Sequence, residues 1–124
     1  MIGLLLLFAL QDPSWQGIRL DGWTFHSESA SGEALFFTLP APGSRPRLWV
    51  RVETRQGFDS AYRSGRTLME ANCEDGSLRR VQTETFLLPN LAGPADQSQS
   101  GEWFYPGPGT YDEAAFNLIC ETPE

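Results

Sequence analysis

Hydrophobic and polar residues in this chain change places over short stretches, and most of those stretches carry the two-residue period of half-buried strands. From Gly22 to Glu28, Trp23 and Phe25 alternate with Thr24 and His26. Leu35-Phe36-Phe37-Thr38-Leu39 follows as a continuous apolar run, closed by Pro40-Ala41-Pro42-Gly43. Between Arg45 and Arg55 one parity holds Pro46, Leu48, Val50, Val52 and Thr54, and the other holds Arg45, Arg47, Trp49, Arg51, Glu53 and Arg55. That pattern predicts a strand with one core face and one face of arginines with a tryptophan among them. Gln56 to Arg66 is polar with two glycines and reads as a loop. Thr67 to Cys73 and Leu78 to Leu88 then flank Glu74-Asp75-Gly76-Ser77, and an Asp-Gly between two alternating runs predicts a hairpin. Pro89 to Gly101, poor in apolar residues, reads as a mobile surface loop, and Glu102 to Tyr105 as a last strand.

The period changes once. Tyr111, Ala114, Ala115, Leu118 and Ile119 fall on one helical stripe, preceded by Thr110-Tyr111-Asp112-Glu113, which fits a capping box. Pro123 stops the helix, and Cys120 sits in its last turn. The sum is an α+β domain, an antiparallel sheet of about six strands with a C-terminal helix packed on it.

Composition narrows the class. A chain of 124 residues holds one core, and four Trp, eight Phe and three Tyr make that core aromatic-rich. The formal charge of −7 excludes a nucleic-acid backbone as partner, because such proteins carry a basic footprint. All nine basic residues are arginine, so each cation is a planar fork suited to carboxylates, sulfates or aromatic faces.

Leu4-Leu5-Leu6-Leu7-Phe8-Ala9-Leu10 is too short to span a bilayer and resembles the apolar region of a signal peptide, without the usual positive start. Residues 1–11 are therefore expected to be an atypical or truncated leader and residues 12–124 the exported domain, with no transmembrane segment in the mature chain; the alternative is an N-terminal strand. In an oxidising compartment Cys73 and Cys120 are most simply paired, the alternative being two buried thiols in the cytosol.

Catalytic signatures are sparse. His26 is the sole histidine, and a hydrolase triad or zinc site would need it as base or ligand. No nucleophile-elbow or metalloprotease motif accompanies it, and no cofactor or metal is expected. Glu74-Asp75 and Asp112-Glu113 are sequence neighbours, whereas glycosidase carboxylates face each other from separate elements. Arg47, Trp49 and Arg51 are the sharpest candidates for binding, since guanidinium forks beside an exposed aromatic grip acidic peptides, sulfated glycans or aromatic rings. Cross-strand Arg–Glu pairs with a purely structural role are the competing account of the same face.

The ordered series Leu48-Trp49-Val50-Arg51-Val52, Leu68 to Cys73, Arg79-Arg80-Val81 with Thr83 to Phe86, Trp103 to Thr110, and Cys120 resembles the surface-adhesin protein E-like family. The resemblance covers roughly the last two-thirds of the chain. It implies about six antiparallel strands, a C-terminal helix tied by Cys73–Cys120, and an exported module without catalysis, at the cell surface or in the periplasm. It also implies a protein or glycan partner, the family's namesake being an adhesin for host matrix proteins such as vitronectin and laminin. A second expectation is a periplasmic inhibitor or regulatory partner of another envelope protein, because the family's fold resembles half of a β-lactamase inhibitory protein. A third is a small hydrolase using His26.

Overall fold

The computed structural model describes residues 15–29, 31–41, 46–57, 60–99 and 101–121. The expected leader, Pro42-Gly43 and Pro123 lie outside them. Six strands form one antiparallel sheet in which each strand pairs with its neighbours in sequence: β1 (Thr24–Glu28), β2 (Ala34–Pro40), β3 (Arg47–Thr54), β4 (Ser64–Asn72), β5 (Ser77–Leu88) and β6 (Ala92–Ser98). The helix α1 (Tyr111–Glu121) follows. The expected α+β class, strand number and terminal helix are all present.

The apolar parity of β3 works as its pattern requires. Leu48 and Val50 join Phe36, Met69, Ala71 and Leu78 under α1, which contributes Ala115 and Ile119 to the same buried cluster. Tyr111, at the start of the helix, stacks flat on Phe36 with ring centroids 4.6 Å apart. Thr110 caps the helix, its Oγ1 accepting from the Glu113 amide at 3.2 Å, and the Glu113 carboxylate reaches back to accept from the Gly109 amide at 3.1 Å. Arg80 on β5 donates to Asp112 at 2.7 Å and so holds the helix start to the sheet. At the other end Cys73 and Cys120 are disulfide-bonded, closing a loop of 47 residues between the hairpin turn and the last helical turn.

Three boundaries differ from those the sequence predicts. The strand β4 begins at Ser64 inside the expected polar loop, because Gly65 lets the backbone of β5 approach closely: a Cβ there would lie 3.2 Å from the Glu84 carbonyl oxygen. Within the expected loop from Pro89, Ala92–Ser98 forms β6, an edge strand paired from Thr83 to Leu88. All its residues are exposed, so it carries no hydrophobic period to read. Its backbone pairing holds it, with side-chain bonds from Gln97 to Glu84 and from Tyr62 to Asp96, and Gly93 at φ +82° supplies an irregular turn where a side chain would strike Leu88. The expected strand Glu102 to Tyr105 is reduced to a single bridge between Phe104 and Leu78.

The opposite face of the sheet needs a cover too. Trp15, Ile18 and Trp23, from the segment before β1, bury themselves with Phe25, Leu35 and Phe37 on the face away from α1. Trp15 Nε1 donates to Glu28 at 3.1 Å, which pins the start of this segment to β1.

Replacing Cys73 or Cys120 by Ser is expected to reduce stability by roughly 4 kcal/mol in the chain-entropy account of a loop this long. Urea unfolding of both single variants checks this; midpoints equal to that of the native chain would contradict it.

Candidate functional site

Register fixes which side chains share the arginine-bearing face. Arg47, Trp49, Arg51 and Glu53 of β3 lie opposite Glu70, Leu68, Arg66 and Ser64 of β4. Across the next pair, Glu70 faces Arg79 and, beyond an irregularity at Leu68/Met69, Leu68 and Arg66 face Gln82 and Glu84 of β5. One row therefore reads Arg47, Glu70, Arg79, with opposite charges facing across both strand pairs, and the other reads Arg51, Arg66, Glu84, in which Arg66 faces an arginine on one side and pairs with the glutamate on the other. The face divides into a sealed part and an open part.

Arg51 anchors the sealed part, and the expectation that it grips a ligand from an exposed face is corrected by its position. Its side chain is 1% exposed and pairs with Glu53, 0% exposed, through Nε at 2.8 Å. Its terminal nitrogens donate to the carbonyl oxygens of Leu20 (3.3 Å) and Arg19 (2.9 Å) and to Asn90 Oδ1 (3.0 Å). The guanidinium also lies 4.6 Å from the Phe37 ring centroid and 5.9 Å from that of Trp23. A buried guanidinium needs nearly all its donors used, and the N-terminal segment meets that need by turning its carbonyls inward. Asn90 completes the knot: its amide donates to Glu53, its Oδ1 accepts from the Arg19 amide, and its Nδ2 donates to the Gly17 carbonyl. Asn90 and Leu91 sit at φ 64° and 60°, a left-handed pair that this network holds in place. Burial pushes the Glu53 carboxyl above its ordinary pKa, against the opposing pull of the Asn90 amide and Arg51.

The open part holds Arg47, Arg66 and Arg79. Glu70 is shared, its Oε2 accepting from Arg47 Nε at 3.1 Å and its Oε1 from Arg79 at 2.6 Å. Glu84 accepts from Arg66 Nε at 2.7 Å and also from Gln97 at 3.1 Å. The side chains of Arg47, Arg66 and Arg79 are 27%, 37% and 30% exposed, while Glu70 and Glu84 are 1% and 8% exposed. The carboxylates thus lie beneath and the guanidinium groups above. Arg66 lies 4.9 Å from the Trp49 ring centroid and Arg79 5.0 Å from that of Trp103. Burial alone would raise the Glu70 carboxyl, but hydrogen bonds and charge from Arg47 and Arg79 outweigh it and hold the pKa below the ordinary value.

Of the three residues singled out from sequence, Arg47 and Trp49 thus border the open part, with Trp49 half-buried against the sealed cluster, and Arg51 does not reach it. Sequence reading does not single out Arg66 and Arg79. The four-residue turn Cys73–Gly76 sets Glu70 opposite Arg79, whereas a two-residue Asp75-Gly76 loop would set Glu70 opposite Val81, so the turn motif alone does not report the partnership. The run Trp103-Phe104-Tyr105, which the sequence leaves open between core packing and a second contact surface, divides between the two: Phe104 packs inward and Trp103 and Tyr105 are exposed.

His26 is exposed on β1, with its Nδ1 3.1 Å from Ser27 Oγ and its ring edge-on to Phe36. Burial lowers its pKa somewhat. No group of three or more His, Cys, Asp or Glu side chains suited to a metal ion occurs among the described residues.

Residues 23–121 match the family model described as surface-adhesin protein E. No curated protein and no solved structure matches the chain.

Two predictions follow the division of the face. Arg51→Ala strips a buried carboxylate of its partner and is expected to destabilise the fold by about 3–5 kcal/mol, whereas Arg66→Ala, at a half-open pair, is expected to change stability by about 1 kcal/mol or less. Denaturant unfolding of the two variants checks this, and equal losses would contradict it. Glu70→Gln is expected to cost about 1.5–3 kcal/mol at neutral pH through weakened charge-assisted bonds. Because the folded pKa of Glu70 is depressed, its contribution is full above the ordinary carboxylate range and is lost as pH falls through the folded value. Glu53, with its raised pKa, acts in the opposite sense in both proteins and cancels. The stability gap between native chain and variant should therefore be flat above about pH 5 and close in stronger acid; a gap that widens in acid would contradict the assignment.

Proposed function

The chain belongs to the surface-adhesin protein E family, and on that premise we propose that it is an exported, adhesin-type binding module whose contact surface is the open part of the arginine face. The observation that carries this reading is the layering of charge: three half-exposed arginines stand over buried glutamates, and two of them lie against tryptophans. Arginine and tryptophan, with tyrosine, are the side chains that dominate binding energy where proteins meet partners. Tyr105, 73% exposed, extends the aromatic border beyond Trp103. The arginines are held in fixed planes by their glutamates and indoles, so little side-chain freedom is lost when a partner arrives.

No helix among the described residues is long and apolar enough to cross a membrane. The disulfide supports an oxidising compartment. The family points to binding without turnover, and the hydrogen-bonding neighbour of His26 among the described residues is the Ser27 hydroxyl. We read residues 1–11 as the export leader and place the mature module in the periplasm or on the cell surface.

Protease treatment of intact cells tests the placement: loss of the protein means surface display, and survival with recovery in the periplasmic fraction directs the search to envelope partners. Recovery in the cytoplasm with free thiols would overturn export. For the contact surface, the native protein is expected to bind saturably to an immobilised host matrix protein, with vitronectin and laminin as probes, if it is surface-displayed. Arg47→Ala/Arg66→Ala should weaken that binding at least tenfold while keeping the fold. Unchanged binding by the double variant would remove this face from consideration.

A further inference from the structure

We propose that the open arginine face recognises an anionic glycan, a chain of sugars bearing carboxylates or sulfates; this rests on the reading of that face as the contact surface. The first argument is the donor inventory. Arg47 and Arg66 each spend Nε on a glutamate, and no hydrogen bond from their terminal nitrogens occurs among the described residues. Those N–H groups form the outer edge of each guanidinium and suit a planar or tetrahedral oxyanion. The faces of Trp49 and Trp103 beside Arg66 and Arg79 are taken up by the cations, so the chemistry offered outward there is that of donors.

Spacing is the second argument. Arg47 and Arg79 flank Glu70 from the strands on either side, about 10 Å apart between backbones, and Arg66 lies roughly 14 Å from Arg47 on the diagonal. Half-buried Leu68 and Gln82 lie between them on the same face. An extended, repeating anion reaches several such points at once, where a single small anion reaches one. Charges farther away in a chain of net charge −7 are damped beyond the Debye length of about 8 Å at physiological ionic strength, so the local cations set the short-range interaction.

The third argument separates glycan from acidic peptide. A peptide that binds by strand addition gains its affinity at a sheet edge, where backbone groups are free. Here β3 and β4 are paired on both sides and offer a peptide no main-chain bonds, and on β5 the Phe104 bridge at Leu78 and the pairing with β6 from Thr83 leave only Arg79–Gln82 between them without a strand partner on the outer side. A glycan needs none. Its hydroxyls stay solvated, its anionic groups meet the guanidinium edges, and its ring faces have the exposed Tyr105 to lie against.

Isothermal titration of the full folded chain with heparin oligosaccharides, alginate oligosaccharides, dextran and poly-L-glutamate tests the assignment at 50 and 150 mM salt. Binding to heparin or alginate, none to dextran, and a loss of at least fivefold at the higher salt are expected. Arg66→Ala should weaken glycan binding at least tenfold. Arg66→Lys, which keeps the charge and loses the fork, should weaken it severalfold with an unchanged melting curve. Equal or tighter binding of poly-L-glutamate would overturn the glycan in favour of an acidic peptide, and failure of both anionic glycans to bind would overturn it outright. Matrix-protein binding separates this from the parent reading. If neither glycan binds but Arg47→Ala/Arg66→Ala still loses matrix binding, the glycan falls and the contact surface stands; if the variant loses neither, both fall.

Discussion

A six-stranded sheet has two faces to keep from water, and among the described residues one helix is brought to the task. Much of the rest follows from that shortage. The helix takes the face with the continuous apolar pattern, where Leu48, Val50, Met69 and Leu78 meet Ala115 and Ile119. The other face is covered over β1 to β3 by a short segment carrying Trp15, Ile18 and Trp23, and is left open over β4 and β5. A segment without regular structure brings its backbone carbonyls with it, and those must be satisfied when buried. Arg51 does this: one guanidinium, neutralised by Glu53, donates to the inward-facing carbonyls of Arg19 and Leu20 and to Asn90 Oδ1.

The boundary between sealed and open parts is also a change in what arginine does. On the sealed side the cation is enclosed, and removing it strands Glu53 in the interior. On the open side the order is vertical, with Glu70 and Glu84 below and arginines above, so the same Arg–Glu chemistry yields a surface whose outermost groups are cationic. The two accounts of this strand that the sequence leaves open, structural charge pairs and a contact surface, each hold for a different part of the face. Glu70 links them, since it orders two arginines that remain accessible.

Much of this was legible before any coordinates. The parity of β3 separates Leu48 and Val50 from Arg47, Trp49 and Arg51 correctly, Asp75-Gly76 marks the β4–β5 hairpin though not its register, and Thr110 and Glu113 mark the helix start. Burial of Arg51 was not legible, because what encloses it comes from Arg19, Leu20 and Asn90, more than thirty positions away on either side, and no local pattern reports that. The strand β6 was hidden for the opposite reason: with every residue exposed, only backbone pairing defines it, and composition resembles a loop. The run Trp103 to Tyr105 is ambiguous in sequence because aromatic residues serve core and contact surface alike, and only the bridge at Phe104 decides it, turning that residue inward and its neighbours out.

The division of the arginine face can be seen directly in the nitrogen-detected signals of the arginine side chains. In the free protein, the Arg51 Nε–H should exchange with solvent far more slowly than those of Arg47, Arg66 and Arg79. On addition of heparin oligosaccharide the latter three should shift while Arg51 stays fixed. An Arg51 signal that exchanges as fast as the others and moves with them on titration would mean that the N-terminal segment does not seal this face, and the account built on that seal would fail.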